Sequence, residues 1–111
     1  MAHGEDPDGL RPADPGAKLD AGKPRLGLVL MGFPRALEAV GHVGTYGAAK
    51  YSPGGWQHVR DGKQRYTDAM LRHLMAEARG EEVDEESGLG HAAQTCWNSL
   101  ARLELMLREK A

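Results

Sequence analysis

The sequence predicts an all-α chain: a small bundle of three main helices with an irregular N-terminal arm, completed by oligomerisation. Three observations predict it. Apolar side chains recur at helical spacing in three separate segments. In the last of them Leu89, Ala93, Cys96, Leu100, Leu103 and Leu107 step by four and three residues, the narrow seam used for helix pairing. Helix punctuation also stands where it should, with Pro34 ahead of the first segment and Gly80 after the second.

Taken in order, residues 1–17 are rich in proline, glycine and aspartate and read as a disordered tail. One domain, 18–111, follows. Residues 18–25 are irregular and carry the cations Lys18, Lys23 and Arg25. Residues 26–33 are apolar, broken by glycines, and read as a short extended arm. The first helix is expected over 35–51, with Leu37, Val40 and Val43 on its apolar side and Glu38 and His42 sharing a face. Gly41, Gly44 and Gly47 each weaken it by roughly 1 kcal/mol relative to alanine, so a backbone or a ligand is expected to approach closely there. Residues 52–62 form a loop with a Pro-Gly-Gly turn and Trp56. The second helix is expected over 63–79. Met70, Leu71, Leu74, Met75 and Ala78 form one face, with His73 and Glu77 at its edge. The third begins near Ser87 or Gly88 and runs towards Glu109, with Trp97 and Asn98 off its seam.

Size and composition bound the answer. A chain of 111 residues is expected to form one domain. Aromatics make up only 5%, so the core is thin, and three helices of this length make a poor isolated bundle. A homo-oligomer, dimer or tetramer, is the expected remedy. The net charge of −2 argues against a general nucleic-acid binder, which needs a basic face. Cys96 stands alone, so no disulfide framework exists, and its place in the apolar stripe reads as a buried structural thiol. The apolar stretch 26–33 is too short to span a bilayer and no leader is recognised, so a cytoplasmic setting without membrane contact is expected.

Chemistry concentrates in residues 72–91, RHLMAEARGEEVDEESGLGH. Two histidines, Arg72 and six carboxylates gather within one helix end, one loop and the start of the next helix. Carboxylates suit Mg²⁺ and Mn²⁺, and imidazole favours the softer Mn²⁺. The plain alternative is a solvated acidic loop. On a helical scaffold Glu38, His73, Glu77, Asp84, Glu86 and His91 form the candidate metal set, with two or more ions expected. Crowded carboxylates repel unless a cation neutralises them. Such oxygen-rich sites use substrate phosphates to complete the ion's coordination. Lys23, Arg25, Lys50 and Arg72 are then the candidate phosphate clamp. Each residue has a bland alternative: Glu38 and Lys50 as solvated surface, His73 as a structural histidine. Trp56 is either a hydrophobic plug or a platform for a base.

Ordered motifs add a resemblance. They are Lys23-Pro24-Arg25-Leu26, Glu38, the block from Tyr46 to Tyr51 (YGAAKY), Trp56, Arg65-Tyr66, Arg72-His73-Leu74, Gly80, Asp84, Glu86-Ser87-Gly88-Leu89 and His91. Together they resemble the N-terminal domain of phage dATP/dGTP diphosphohydrolases of the MazZ type, a branch of the MazG-like all-α nucleotide pyrophosphohydrolases. The resemblance runs over about residues 18–108. It implies hydrolysis of a purine deoxynucleoside triphosphate to monophosphate and pyrophosphate, in phages that replace adenine with aminoadenine. It also implies Mg²⁺ or Mn²⁺ and an oligomer. The wider MazG-like pattern carries ExxE on one helix and ExxD on another. Here Gly41 stands where the second glutamate would be, and the third helix offers His91-Ala92-Ala93-Gln94. Acidic residues of the 84–86 loop, or histidines, are the expected substitutes. Glu38 and Glu86 are the first choices for catalysis, and Trp56, Asn98 and Tyr46 for the base.

Overall fold

A computed structural model describes residues 4–111, and within them every regular element is helical. The chain divides into two units, Met1–Phe33 and Pro34–Ala111.

In the first unit the expected tail gives way to ordered turns over residues 4–17; residues 1–3 of that tail lie outside the described residues. A single buried carboxylate organises them. Asp6 Oδ1 accepts the amides of Asp8 at 2.8 Å and Leu10 at 3.2 Å, and Oδ2 accepts that of Lys18 at 2.7 Å. An antiparallel bridge joins Glu5 to the buried Ala21. Aspartate side chains compete well for backbone amides, so a Pro/Gly/Asp-rich segment need not lack structure. The arm over 26–33 is not extended either. It contains a single helical turn, α1 (Gly27–Leu30), with Leu26, Leu28, Val29, Leu30, Met31 and Phe33 all more than half exposed.

The second unit holds the three expected helices. The first of them, α2 (Pro34–Lys50), starts at its proline, whose missing N–H costs nothing in a first turn. A short 3₁₀ turn, Gly55–His58, interrupts the expected loop, entered through Gly54 in the left-handed region at φ 72°. The next helix, α3 (Gly62–Ala78), ends in a Schellman motif. Gly80 has φ 88°, its amide reaches the Glu77 carbonyl, and the Glu81 amide reaches that of Ala76. The last, α4 (His91–Glu109), starts three to four residues later than the periodicity suggests. Gly88 at φ 75° and the extended Gly90 keep the backbone out of the helical well until His91.

Helices α3 and α4 run antiparallel. Gly62 lies against Leu105, Thr67 Oγ1 accepts from Arg102 Nε at 2.9 Å, and His73 meets His91. Between α2 and α4 an added methyl at Gly44 would lie 3.5 Å from Trp97 Nε1, so Trp97 occupies the notch that this glycine leaves. Trp97 meets Tyr66 and Trp56 edge-on, with centroids 5.6 and 6.1 Å away.

That packing chooses different faces from those the apolar periodicity suggests. Helix α4 buries His91, Asn98 and Ala101, the side judged off the seam. The seam turns outward: Leu100, Leu103 and Leu107 are about half exposed, and Cys96 is exposed rather than buried. Likewise α3 buries Gly62 and Ala76 and leaves Leu71, Leu74 and Met75 about half exposed. Within one chain, the small and aromatic side chains let the helices approach, and the leucine stripes remain without cover. No helix among the described residues is long and apolar enough to cross a membrane.

Candidate functional site

The start of α4 and the loop before it form the candidate site. Val83 and Gly90 pair across the loop, which pins its two ends together. Asp84 sits between them. Its Oδ2 accepts three donors: the Ser87 hydroxyl at 2.8 Å, the Ser87 amide at 3.3 Å and the Gln94 carboxamide at 3.3 Å. Gln94 Nε2 also lies 3.2 Å from Ser87 Oγ, and the Leu89 amide donates to that same oxygen at 3.1 Å. Partial burial pushes the Asp84 carboxyl up, but Ser87, Gln94 and the Glu86 amide outweigh it, and its pKa lies below the ordinary carboxylate value.

Beside Asp84, the two histidines face each other. Nδ1 of His73 on α3 lies 2.8 Å from Nδ1 of His91, the buried first residue of α4. Burial of His73 lowers its pKa. The His91 ring and Arg72 lower it further, while Asp84 acts in the opposite direction.

At the same end of the unit, Lys50 closes α2 and forms an ion pair with Glu86, 36 positions away. Its ammonium also lies 5.2 Å from the Tyr51 ring and 6.0 Å from that of Tyr46. Glu86 first, then Tyr51, hold Lys50 in its charged form.

The structure therefore gathers His73, Asp84, Glu86, His91 and Lys50 around one end of the bundle, with the half-buried Tyr46 next to Lys50. The other expected site residues are placed differently. Glu38 is exposed on α2 and pairs loosely with His42 at 3.9 Å. Glu77 is exposed on α3. Arg72 is exposed on α3, on a surface shared with Asp68, Leu71, Met75 and Arg79. Lys23 and Arg25 are exposed in the first unit. Trp56 is engaged in packing: it meets Tyr66 and Trp97 edge-on, Arg108 lies 5.5 Å over its ring, and Tyr66 Oη donates to its carbonyl at 2.6 Å. Of its two alternatives the geometry supports the plug. Asn98 is buried and donates to the Gln94 carbonyl at 2.8 Å.

Ser87 and Gln94 are the polar partners that the motif reading left without a role. A signal for Ser87 existed, because Asp-x-x-Ser is a spacing at which a carboxylate captures a hydroxyl and amide three residues on. Gln94 carried none, since its contact depends on where α4 begins.

Among the described residues, no three His, Cys, Asp or Glu side chains are arranged around one point as a metal cage. Mg²⁺ does not need one. It is commonly held by one or two carboxylates, with water and substrate phosphate filling the remaining positions. Asp84 and Glu86 are carboxylates of that type, and here Ser87 and Gln94 occupy Oδ2 of Asp84 while Lys50 pairs with Glu86.

Comparison with known proteins identifies the family of the chain. A family described as dATP/dGTP diphosphohydrolase, N-terminal, matches residues 13–111, starting five residues before the expected boundary at 18. A dATP/dGTP diphosphohydrolase of Salmonella phage PMBT28 is 37% identical over 78 residues, covering 70% of this chain. The chain spans about a quarter of that relative's length. No solved structure matches. By the extent of the family match, this chain belongs to the dATP/dGTP diphosphohydrolase N-terminal domain family.

Proposed function

We propose that this chain is a metal-dependent dNTP diphosphohydrolase that converts dGTP and dATP to the monophosphate and pyrophosphate. The observation that carries the reading is the meeting of opposite charges at one end of the bundle. The Lys50 ammonium, the Glu86 and Asp84 carboxylates and two imidazoles converge there, in a chain of this family.

In the reaction a water oxygen bonds to the α-phosphorus, the α–β bridging bond breaks, and pyrophosphate leaves. Catalysis of this kind is mainly positioning and electrostatics. Lys50 exchanges its Glu86 partner for phosphate oxygens. Glu86 is thereby released, and it and Asp84 become available to hold a cation or to take a proton from the attacking water. Mg²⁺ or Mn²⁺, when bound, supplies charge neutralisation at the phosphates and lowers the pKa of water. In this reading Tyr46, whose ring lies 6.0 Å from the Lys50 ammonium, packs on the base, and a purine offers it the larger face. The supporting roles of Glu38, Arg72, Lys23 and Arg25, and a setting in aminoadenine-containing phages, rest on the motif resemblance; that of Glu77 rests on its place one turn from His73 on α3.

The same reading includes a homo-oligomer. The outward leucine stripe of α4 is the kind of surface that chains cover on association.

Product analysis tests the function. Incubation with each of the four dNTPs and Mg²⁺ or Mn²⁺ should give monophosphate and pyrophosphate from dGTP and dATP, with dCTP and dTTP poor substrates. Release of inorganic phosphate or triphosphate would replace the reaction type. Comparable kcat/KM for all four would remove the purine pocket. Nucleotide binding without turnover would favour a binding module that assembles through α4.

A further inference from the structure

The Lys50 ammonium has a neighbour that the proposed reaction leaves without a role. Tyr51 is the first residue beyond α2, and its amide still donates to the Gly47 carbonyl at 2.9 Å. Adjacent residues within a helix do not face each other. Tyr51 stands outside the helical run, and its ring turns back on Lys50, with the centroid 5.2 Å from the ammonium. Tyr46, one turn earlier on α2, brings a second ring to 6.0 Å. An aromatic face attracts a cation through its quadrupole. Glu86 first, and Tyr51 after it, favour the charged form of Lys50. Tyr51 is itself 76% exposed, so the fold does not depend on burying it. A lysine stem is flexible, and fixing it to one ligand costs rotamer freedom. A ring that stays beside the ammonium when Glu86 gives way to phosphate reduces that cost.

We propose that Tyr51 is a positioning residue: its ring holds the Lys50 ammonium at the end of α2, where that ammonium meets the phosphates of the substrate. The inference rests on the reading above that Lys50 binds phosphate. A cation–ring contact at an exposed position is worth about a two- to fivefold change in affinity.

The test uses the full chain and the α,β-methylene analogue of dGTP, which keeps the three phosphates and is not cleaved at that bond. Isothermal titration compares it with deoxyguanosine. Tyr51→Leu removes the ring and Tyr51→Phe keeps it. Tyr51→Leu should weaken binding of the analogue about two- to fivefold and leave deoxyguanosine as it was, with Tyr51→Phe close to the parent. The decisive comparison is made in a Lys50→Met background, where Tyr51→Leu should have no further effect, because the ring acts through the ammonium. An equal loss in both backgrounds, or a loss for deoxyguanosine as well, would overturn the inference and put the ring directly on the substrate. A Tyr51→Phe protein as weak as Tyr51→Leu would overturn the role of the ring in favour of the hydroxyl. If Lys50→Met loses the analogue while Tyr51→Leu binds it as the parent does, Tyr51 has no positioning role and Lys50 remains a phosphate ligand. If Lys50→Met itself binds the analogue as the parent does, the inference falls with that reading. Should Tyr51→Leu fail to fold, Tyr51→Gln, which is ringless and polar, decides the same question.

Discussion

His73 and His91 meet through their Nδ1 atoms at 2.8 Å, joining α3 to the first residue of α4. Two such nitrogens leave room for one hydrogen between them, so one ring donates and the other accepts. A proton on both would set two donors, and two positive charges, against each other. The contact therefore requires at least one neutral ring, in agreement with the depressed pKa of His73.

This sets a pH dependence for the metal-free protein. The folded pKa of His73 lies below its ordinary value of 6.5, chiefly through burial. Near and just below 6.5 the unfolded chain therefore binds the proton more readily than the folded one. Stability rises with pH wherever that holds. The contribution is fully present above 6.5 and is lost as pH falls from there through the folded pKa. Thermal melts across this range should show a declining Tm on acidification. The decline should be shallower in His73→Gln, which can hydrogen-bond but does not titrate. Equal slopes in parent and variant would remove His73 as its source.

Lys50→Met should act on the phosphates and not on the base. The ion pair with Glu86 is substantially exposed, so its loss should leave the Tm nearly unchanged. Triphosphate affinity should fall about tenfold or more, while binding of the free nucleoside stays as it was. Isothermal titration with dGTP and with deoxyguanosine compares the two. Equal losses would make Lys50 structural. In the same assay, Glu86→Gln should bind triphosphate but turn over far more slowly.

The glycines of α2 separate by what lies beside them. Among the described residues, only Gly44 of the three has a close neighbour, the Trp97 ring; an added methyl at Gly41 or Gly47 meets nothing within 4 Å. Close approach, expected for all three, holds among the described residues for Gly44 alone. Gly41→Ala and Gly47→Ala should each stabilise the protein by roughly 0.5–1 kcal/mol through helix propensity. Chemical denaturation measures this. If either variant gains stability but loses substrate affinity, a ligand or a second copy comes close at that glycine.

Leu100→Asp and Leu103→Asp place a charge in the outward stripe of α4, away from the side packed within the chain. Helicity should persist and the assembled species should dissociate, as read by light scattering coupled to size exclusion. A parent protein that is a stable, active monomer would overturn assembly through α4.

The all-α class and the three helices, to within a few residues, were legible in the sequence alone, as was the clustering of His73, Asp84, Glu86 and His91 along the chain. These follow from local rules: a 3.6-residue periodicity, a proline that begins a helix, a glycine that ends one. The residues gathered at the site were legible by type as well, since His73, Asp84, Glu86, His91 and Lys50 all belong to chemically distinctive motifs. Which face of each helix packs emerged from the three-dimensional arrangement. Periodicity locates an apolar stripe but does not say what covers it. Here Gly44, Ala76, Ala101 and the Trp97 ring allow close approach, so the helices meet on that side and the stripe from Cys96 to Leu107 faces out. Pairings across long separations were likewise beyond the sequence. Lys50 with Glu86, His73 with His91 and Gln94 with Asp84 depend on how α2, α3 and α4 meet at one end. No local pattern encodes that meeting, because its distances are set by the packing of three helices at once.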